Sequence, residues 1–299
     1  TSITGKSGTY RLSPLNITAD IVPAGKAKTP ESIKLKADTT VNMDKQNLDI
    51  KALTLKGLGL DLKADLSAAQ FMSAPSLDAT LDLAPFNLKQ FMAKLNLPPI
   101  KTTDKKVLQK LALKTTLSGS TSQFNMPELT AQLDDTTITG SMKINDMARP
   151  DLNFDVNIDT INVDRYMPPP QPKQAKAKKT TKKKKAAKAQ SSKQKQPQNP
   201  LPMEQLRSLV AKGNMAIGKL VVSNLKLANV KATLDAKDGL ITLAPVSADL
   251  YDGSYAGGLK MDARKEQPKF FINGDLKNIQ AEPLLADMTG NAKLRGTGN

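Results

Sequence analysis

Apolar and polar residues alternate along most of this chain, and one version of the pattern occurs three times. Each copy opens on a proline and then alternates, over residues 75–83, 150–158 and 268–276. A period of two predicts a β-strand with one apolar and one polar face. Each copy continues with an apolar pair and an apolar anchor, and the repetition predicts a long sheet that keeps its two faces along its length.

Turn residues separate the alternating segments. Gly, Asn and Pro lie between them, as hairpins require, and strands joined by short turns pair antiparallel. The sequence therefore predicts a mainly β fold: a long twisted, largely antiparallel repeat sheet that forms an elongated open groove, with a few short α-helices. We predict those helices at 87–95, from about Thr103, and at 202–213, where Gly213 would end the helix.

The segment 168–200 has a different composition from the rest of the chain. It contains eleven Lys and no acidic residue, and Pro, Gln, Ser and Ala make up most of the remainder. Such composition is typical of disorder, so we predict a disordered linker inserted in a loop between repeats. It separates a repeat β-sheet region at 1–167 from a C-terminal β region at 201–299. Because the chain starts at Thr1 rather than Met, we expect a fragment of a longer protein.

Composition limits the chemistry that the chain can perform. It has neither Cys nor His, which excludes disulfides, His or Cys zinc sites and a Ser-His-Asp triad. Two carboxylate pairs, Asp134 with Asp135 and Asp249 with Asp252, lie in turn-like sequence without calcium-binding loop spacing. We expect them to be turn residues, and we predict no catalytic residue, no metal and no cofactor, hence no enzyme.

The net charge of +16 is concentrated in the linker, and its eleven Lys leave only +5 for the rest of the chain. A nucleic-acid partner is not expected, because no aromatic or Arg residue accompanies these lysines to stack on bases. Anionic phospholipid headgroups suit a Lys run better. A soluble spacer remains the alternative. The candidate headgroup contacts are Lys182, Lys183, Lys184 and Lys185.

The main question is what covers the apolar face of the predicted sheet. A second sheet, a layer of helices or lipid could do so. The predicted helices are too short, and 7 Phe, 4 Tyr and no Trp make a smooth aliphatic surface. We favour a groove open to acyl chains, and a β-sandwich remains the alternative. The candidate groove residues are Leu58, Leu60, Leu62, Leu77, Leu81, Leu83, Leu152, Phe154, Val156 and Ile158.

An ordered set of segments, most of them C-terminal, resembles the AsmA family of Gram-negative envelope proteins. The resemblance covers residues 150–299 well and 30–149 loosely. The segments that carry it are 159–168, 200–209, 236–245, 250–257, 283–290 and 294–299.

The resemblance implies a periplasmic β body with a long hydrophobic groove, held at the inner membrane by an N-terminal helix that this sequence lacks. It implies that the protein moves phospholipid toward the outer membrane and supports outer-membrane assembly. Phospholipids, the inner membrane and outer-membrane assembly factors are then the expected partners. An alternative is a non-enzymatic assembly or scaffold module for outer-membrane protein biogenesis, which would bind precursors by pairing strand edges.

Overall fold

Fifteen strands form one open sheet in which spatial order follows chain order. The computed structural model describes residues 1–22, 30–169, 203–289 and 296–298. The mainly β prediction is confirmed. The strands are β1 (Ser2–Lys6), β2 (Thr9–Ile21), β3 (Glu31–Asn42), β4 (Asn47–Gly57), β5 (Leu60–Ala69), β6 (Ser76–Phe86), β7 (Leu111–Ser120), β8 (Phe124–Leu133), β9 (Thr136–Ile144), β10 (Asp151–Asn162), β11 (Val210–Val222), β12 (Leu225–Lys237), β13 (Leu240–Leu250), β14 (Gly253–Asp262) and β15 (Lys269–Lys277).

Short helices and a second, two-stranded sheet lie between and after these strands. They are α1 (Leu88–Lys94), the 3₁₀ helix Val163–Arg165, α2 (Met203–Ser208), β16 (Ile279–Gln280), α3 (Ala281–Thr289) and β17 (Thr297–Gly298). The prediction of α1 is confirmed. Asn87 caps it, because the Asn87 side chain accepts a hydrogen bond from the Gln90 N–H, which satisfies one of the free N–H groups of the first turn.

One helix prediction was wrong, and another helix exists but ends earlier than predicted. No helix begins at Thr103, since its N–H donates to the Met167 carbonyl 2.8 Å away and the segment folds as turns. The helix predicted to end at Gly213 stops at Ser208, and Gly213 lies inside β11. A Cβ at Gly213 would collide with the Phe154 carbonyl oxygen on β10. That glycine permits close strand contact and does not end a helix.

Among the strands of the described residues, β10–β11 is the one parallel pair, and the other neighbours in the sheet are antiparallel. Its register runs from Asp151 opposite Val210 to Asn162 opposite Val221, so the sheet is continuous between the two predicted β regions. A parallel pair needs a long connection. The predicted linker lies in this connection. The prediction that it is disordered falls on residues from 170 onward, which lie outside the described part of the chain.

The register assigns every strand residue to one of two faces. Directly opposed residues on neighbouring strands project to the same side of a sheet. The opposed pairs place Leu62 with Leu83, and Ile138 with Ile158, on one side. Lys63 with Asp82, and Thr139 with Asn157, lie on the other. We call these sides the apolar face and the polar face.

β-Bulges interrupt the ladders near the middle of the strands. The strand that lies two strands before each proline-led copy carries one, between Ile50 and Leu53 in β4, between Met126 and Leu129 in β8, and between Leu243 and Val246 in β13. A bulge bends its strand and increases the local twist. The sheet therefore bends at similar positions in each repeat.

No second layer covers the apolar face within the described residues. The α-helices have 7, 6 and 9 residues, and the second sheet has only two strands. Part of the apolar face itself is buried, across β11 to β13, where Ile217, Val230 and Ala248 form a cluster and are 6%, 7% and 3% exposed. Because so few large side chains are buried, the sheet has a thin core rather than the filled interior of a sandwich.

Candidate functional site

One row of residues on the apolar face crosses all fifteen strands without a charged side chain. The residues are directly opposed, strand after strand, and belong to the apolar face throughout. The row is Gly5, Tyr10, Val41, Leu48, Ala68, Leu77, Gly119, Phe124, Ile144, Leu152, Ala211, Ala236, Ile241, Met261 and Phe270. We call it the continuous row.

A second row on the same face lies nearer the middle of the strands and mixes large and small side chains. It joins candidates from two copies of the repeat, Leu81 and Val156. Its members from β4 to β15 are Leu53, Ala64, Leu81, Thr115, Leu129, Gly140, Val156, Met215, Ala232, Val246, Gly257 and Gly274.

Nine of the ten predicted groove residues lie on the apolar face. Each is half-buried, because side chains of the same face cover part of it. The nine residues are Leu60, Leu62, Leu77, Leu81, Leu83, Leu152, Phe154, Val156 and Ile158. Leu58 is the exception. It lies in the turn between β4 and β5 with φ of 56°, and only 6% of it is exposed, so it cannot line the face.

The apolar face contains many more residues than the ten predicted from the sequence. Leu113, Leu129 and Ile138 belong to it, as do Ile241 and Met261 beyond the parallel junction. The signal was present, since these residues alternate with polar ones in the sequence. Lys182, Lys183, Lys184 and Lys185 lie outside the described residues, and their contact with headgroups stays a prediction.

The polar face has a different chemistry. A cleft of about 660 Å³ lies across β4 to β8, and Lys63, Asp82 and Lys114 form one row of opposed residues along it. Thr54 and Thr130 extend that row on either side. Leu53, Ala64 and Leu81 also line the cleft, so it combines hydrated polar groups with apolar surface.

Asp134 organises one end of the strands. It lies in the turn between β8 and β9 and is 8% exposed. Its carboxylate accepts the N–H groups of Leu108, Gln109 and Lys110 at 2.7, 2.8 and 3.1 Å and the Tyr166 hydroxyl at 2.9 Å. Burial alone would raise the pKa of this carboxyl, but the four donors together hold the pKa below its ordinary value.

Neighbouring groups at this end are paired in the same way. Burial, followed by the hydrogen bond to Asp134, raises the pKa of Tyr166 to about 12. Arg165 donates to Asp104 at 2.8 Å and to Asp135 at 3.2 Å. These bonds connect the segment after β10 to the segment before β7 and to the turn between β8 and β9. Their role is structural. Among the described residues, no cluster of three carboxylates suited to a metal ion occurs.

Fold and site define the class: an extended β-sheet protein with one open apolar face. The model of the AsmA family matches residues 18–299, and the chain belongs to that family. Its members are associated with the cell envelope, and membership suggests a role in lipid transport. No curated protein and no solved structure matches the chain. Among the described helices, none has the length and apolarity needed to cross a bilayer.

Proposed function

We propose that the apolar face binds the acyl chains of phospholipids and that this chain is the periplasmic part of a protein anchored in the inner membrane. The protein would carry phospholipid to the outer membrane and support its assembly. The observation that carries the proposal is the continuous row, which crosses fifteen strands without a charge. Membership in the AsmA family agrees with it.

Acyl chains suit this face energetically. Removing a methylene from water is worth about 0.8 kcal/mol, so a chain of about 16 carbons gains on the order of 12 kcal/mol when it is fully buried. Fifteen strands at about 4.8 Å spacing give the face a length of roughly 65 Å. That length accommodates more than one acyl chain placed end to end.

A mechanism of transfer follows from the uniformity of the face. Neighbouring strands offer aliphatic side chains of similar character, such as Leu77, Ile144 and Ile241 in the continuous row. A lipid that advances by one strand exchanges one apolar contact for a similar one, so barriers to sliding are low. Headgroups remain in water, and no catalytic group is needed, so the proposed function is not enzymatic.

The test is photo-cross-linking with a matched pair of positions. Val156 projects from the apolar face and Asn157, its neighbour, from the polar face opposite Thr139. A photoreactive residue at 156 should capture phospholipid during expression, and one at 157 should not. Equal capture at both positions would refute binding on one face. Capture of polypeptide rather than lipid at 156 would favour the assembly module.

A further inference from the structure

Two short apolar segments lie side by side on the rim that the carboxyl ends of β6, β8 and β10 form. Antiparallel pairing from β6 to β10 brings these ends together, and a short helix follows both β6 and β10. After each helix come an apolar residue and two prolines, at 97–99 and 167–169. The N–H and the hydroxyl of Thr103 donate to the Met167 carbonyl at 2.8 and 2.9 Å, so the two segments are neighbours.

Both segments expose their apolar side chains. Leu97, Ile100 and Met167 are 45%, 40% and 53% exposed, and the prolines at 98, 99, 168 and 169 are exposed as well. We call residues 97–100 and 167–169 the apolar tips. A contiguous apolar patch with a polar border is typical of a surface that contacts another molecule or a membrane.

Buried contacts hold the first tip in place. The Lys89 ammonium donates to the Thr102 hydroxyl at 2.8 Å and to the Lys105 carbonyl at 3.1 Å. Thr102 is buried, and Val107 is fully buried. The segment is then fixed by Asp134, which accepts the N–H groups from Leu108 onward. Because the loop is anchored on its inner side, its exposed side is a defined surface of the fold.

Exposed lysines surround the first tip. Asp104 is the one acidic residue between positions 87 and 110, and its carboxylate is paired with Arg165 at 2.8 Å. Four lysines of the same segment are exposed and form no salt bridge among the described residues: Lys101, Lys105, Lys106 and Lys110. Their positive charge beside the apolar tips is therefore not neutralised by the protein.

We propose that the apolar tips and these four lysines dock the protein on the surface of an anionic phospholipid bilayer. The apolar side chains enter the interface, and the lysines contact the headgroup phosphates. A protein partner fits this surface less well, because protein interfaces are depleted in Lys and rely on Trp, Tyr and Arg. Docking uses residues of the rim and not those of the apolar face, so it does not rest on the proposed binding of acyl chains.

The test uses a fluorophore at a single position, since the chain has no Cys of its own. Ile100→Cys, labelled with the environment-sensitive fluorophore NBD, should gain at least about twofold in fluorescence when vesicles of phosphatidylethanolamine and phosphatidylglycerol are added. Met72→Cys is the matched control, because Met72 is 66% exposed in the turn between β5 and β6 on the opposite rim. Its label should not respond. Vesicle binding without a change at position 100, or with equal changes at both positions, would overturn the proposal.

Charge reversal gives a second, independent test by flotation with the same vesicles. Lys101→Glu should weaken vesicle binding by at least about fivefold. Lys45→Glu makes the same change in net charge at an exposed turn on the opposite rim and should weaken binding by less than about twofold. Equal binding by the two variants would contradict docking through this rim. Capture of phospholipid at position 156 without a signal at position 100 would overturn docking and leave the proposed function intact.

Discussion

The Tyr166 hydroxyl donates a 2.9 Å hydrogen bond to Asp134, which lies in a turn 32 residues earlier in the chain. The same carboxylate holds three successive N–H groups from Leu108 to Lys110. One side chain thus connects the segment before β7, the turn between β8 and β9, and the segment after β10. Because this last segment leads into the connection to β11, the contact secures the strand ends beside the parallel junction.

Replacing Asp134 should destabilise the protein without changing its lipid-binding face. Asp134→Asn replaces one accepting oxygen with an NH₂ group, which cannot accept a hydrogen bond, so buried N–H donors are left unsatisfied. We expect a loss of about 1–3 kcal/mol in the free energy of unfolding. Tyr166→Phe removes a single bond and should cost about 1 kcal/mol. Urea denaturation measures both. An Asp134→Asn variant as stable as the wild type would show that the network contributes nothing.

The hydrogen bond between Tyr166 and Asp134 predicts that the protein loses stability at both low and high pH. The pKa of Asp134 is lowered in the folded state, so its stabilisation is complete above the ordinary value of 3.8 and decreases as the pH falls through the folded-state pKa. The pKa of Tyr166 rises from 10.0 to about 12, so its stabilisation is present below pH 10 and is lost as the pH rises toward 12.

The measurement for this prediction is urea denaturation of the wild type and Tyr166→Phe at neutral pH and between pH 10 and 12. The stability difference between the two proteins should shrink in the alkaline range. A difference that stays constant from neutral pH to pH 12 would contradict the assignment. Tyr251, whose pKa is also raised, is present in both proteins and cancels in the comparison.

A charge on the open face should abolish lipid binding at little cost in stability. Val156 is half-buried on the apolar face, so Val156→Asp should remove lipid from the purified protein, as seen by native mass spectrometry. We expect it to lower the free energy of unfolding by only about 1 kcal/mol. The reason is that the new carboxylate keeps access to water when lipid is absent.

The comparison is Ile217→Asp on the same face, where Ile217 lies opposite Ile158 and is buried in the cluster with Val230 and Ala248, with 6% of it exposed. A carboxylate there cannot reach water, and we expect a loss of at least about 3 kcal/mol. If Val156→Asp were as damaging as Ile217→Asp in lipid-free protein, Val156 would be an ordinary core position. That result would remove the basis for an open face.

Gly140 should tolerate no side chain. It adopts φ of 152°, and a Cβ there would collide with the Asp155 carbonyl oxygen and lie 2.9 Å from the Val156 Cα. Gly140→Ala should therefore separate β9 from β10 and cost about 2 kcal/mol or more. Thr139→Ala, at the exposed neighbour on the polar face, should change the midpoint of thermal unfolding little. Similar midpoints for the two variants would disprove the close contact.

Much of the face could be predicted from sequence, as Leu62 and Val156 illustrate. Both alternate with polar neighbours, and both lie on the apolar face. The cap of α1 by Asn87 was equally local. Leu58 shows the limit, because it follows the same alternation yet occupies a turn with positive φ. Alternation predicts which face a residue lies on only for residues inside a strand.

The sequence by itself determined the strands, their two faces and the antiparallel hairpins, because side-chain direction and short-turn geometry are local properties of the backbone. Only the tertiary structure decided that Asp151 pairs in parallel with Val210, and that residues from fifteen strands align in one uncharged row. It also decided that the segment at Leu108 does not form a helix, because its N–H groups donate to the Asp134 carboxylate. These outcomes depend on contacts between residues far apart in the chain, which no local pattern encodes.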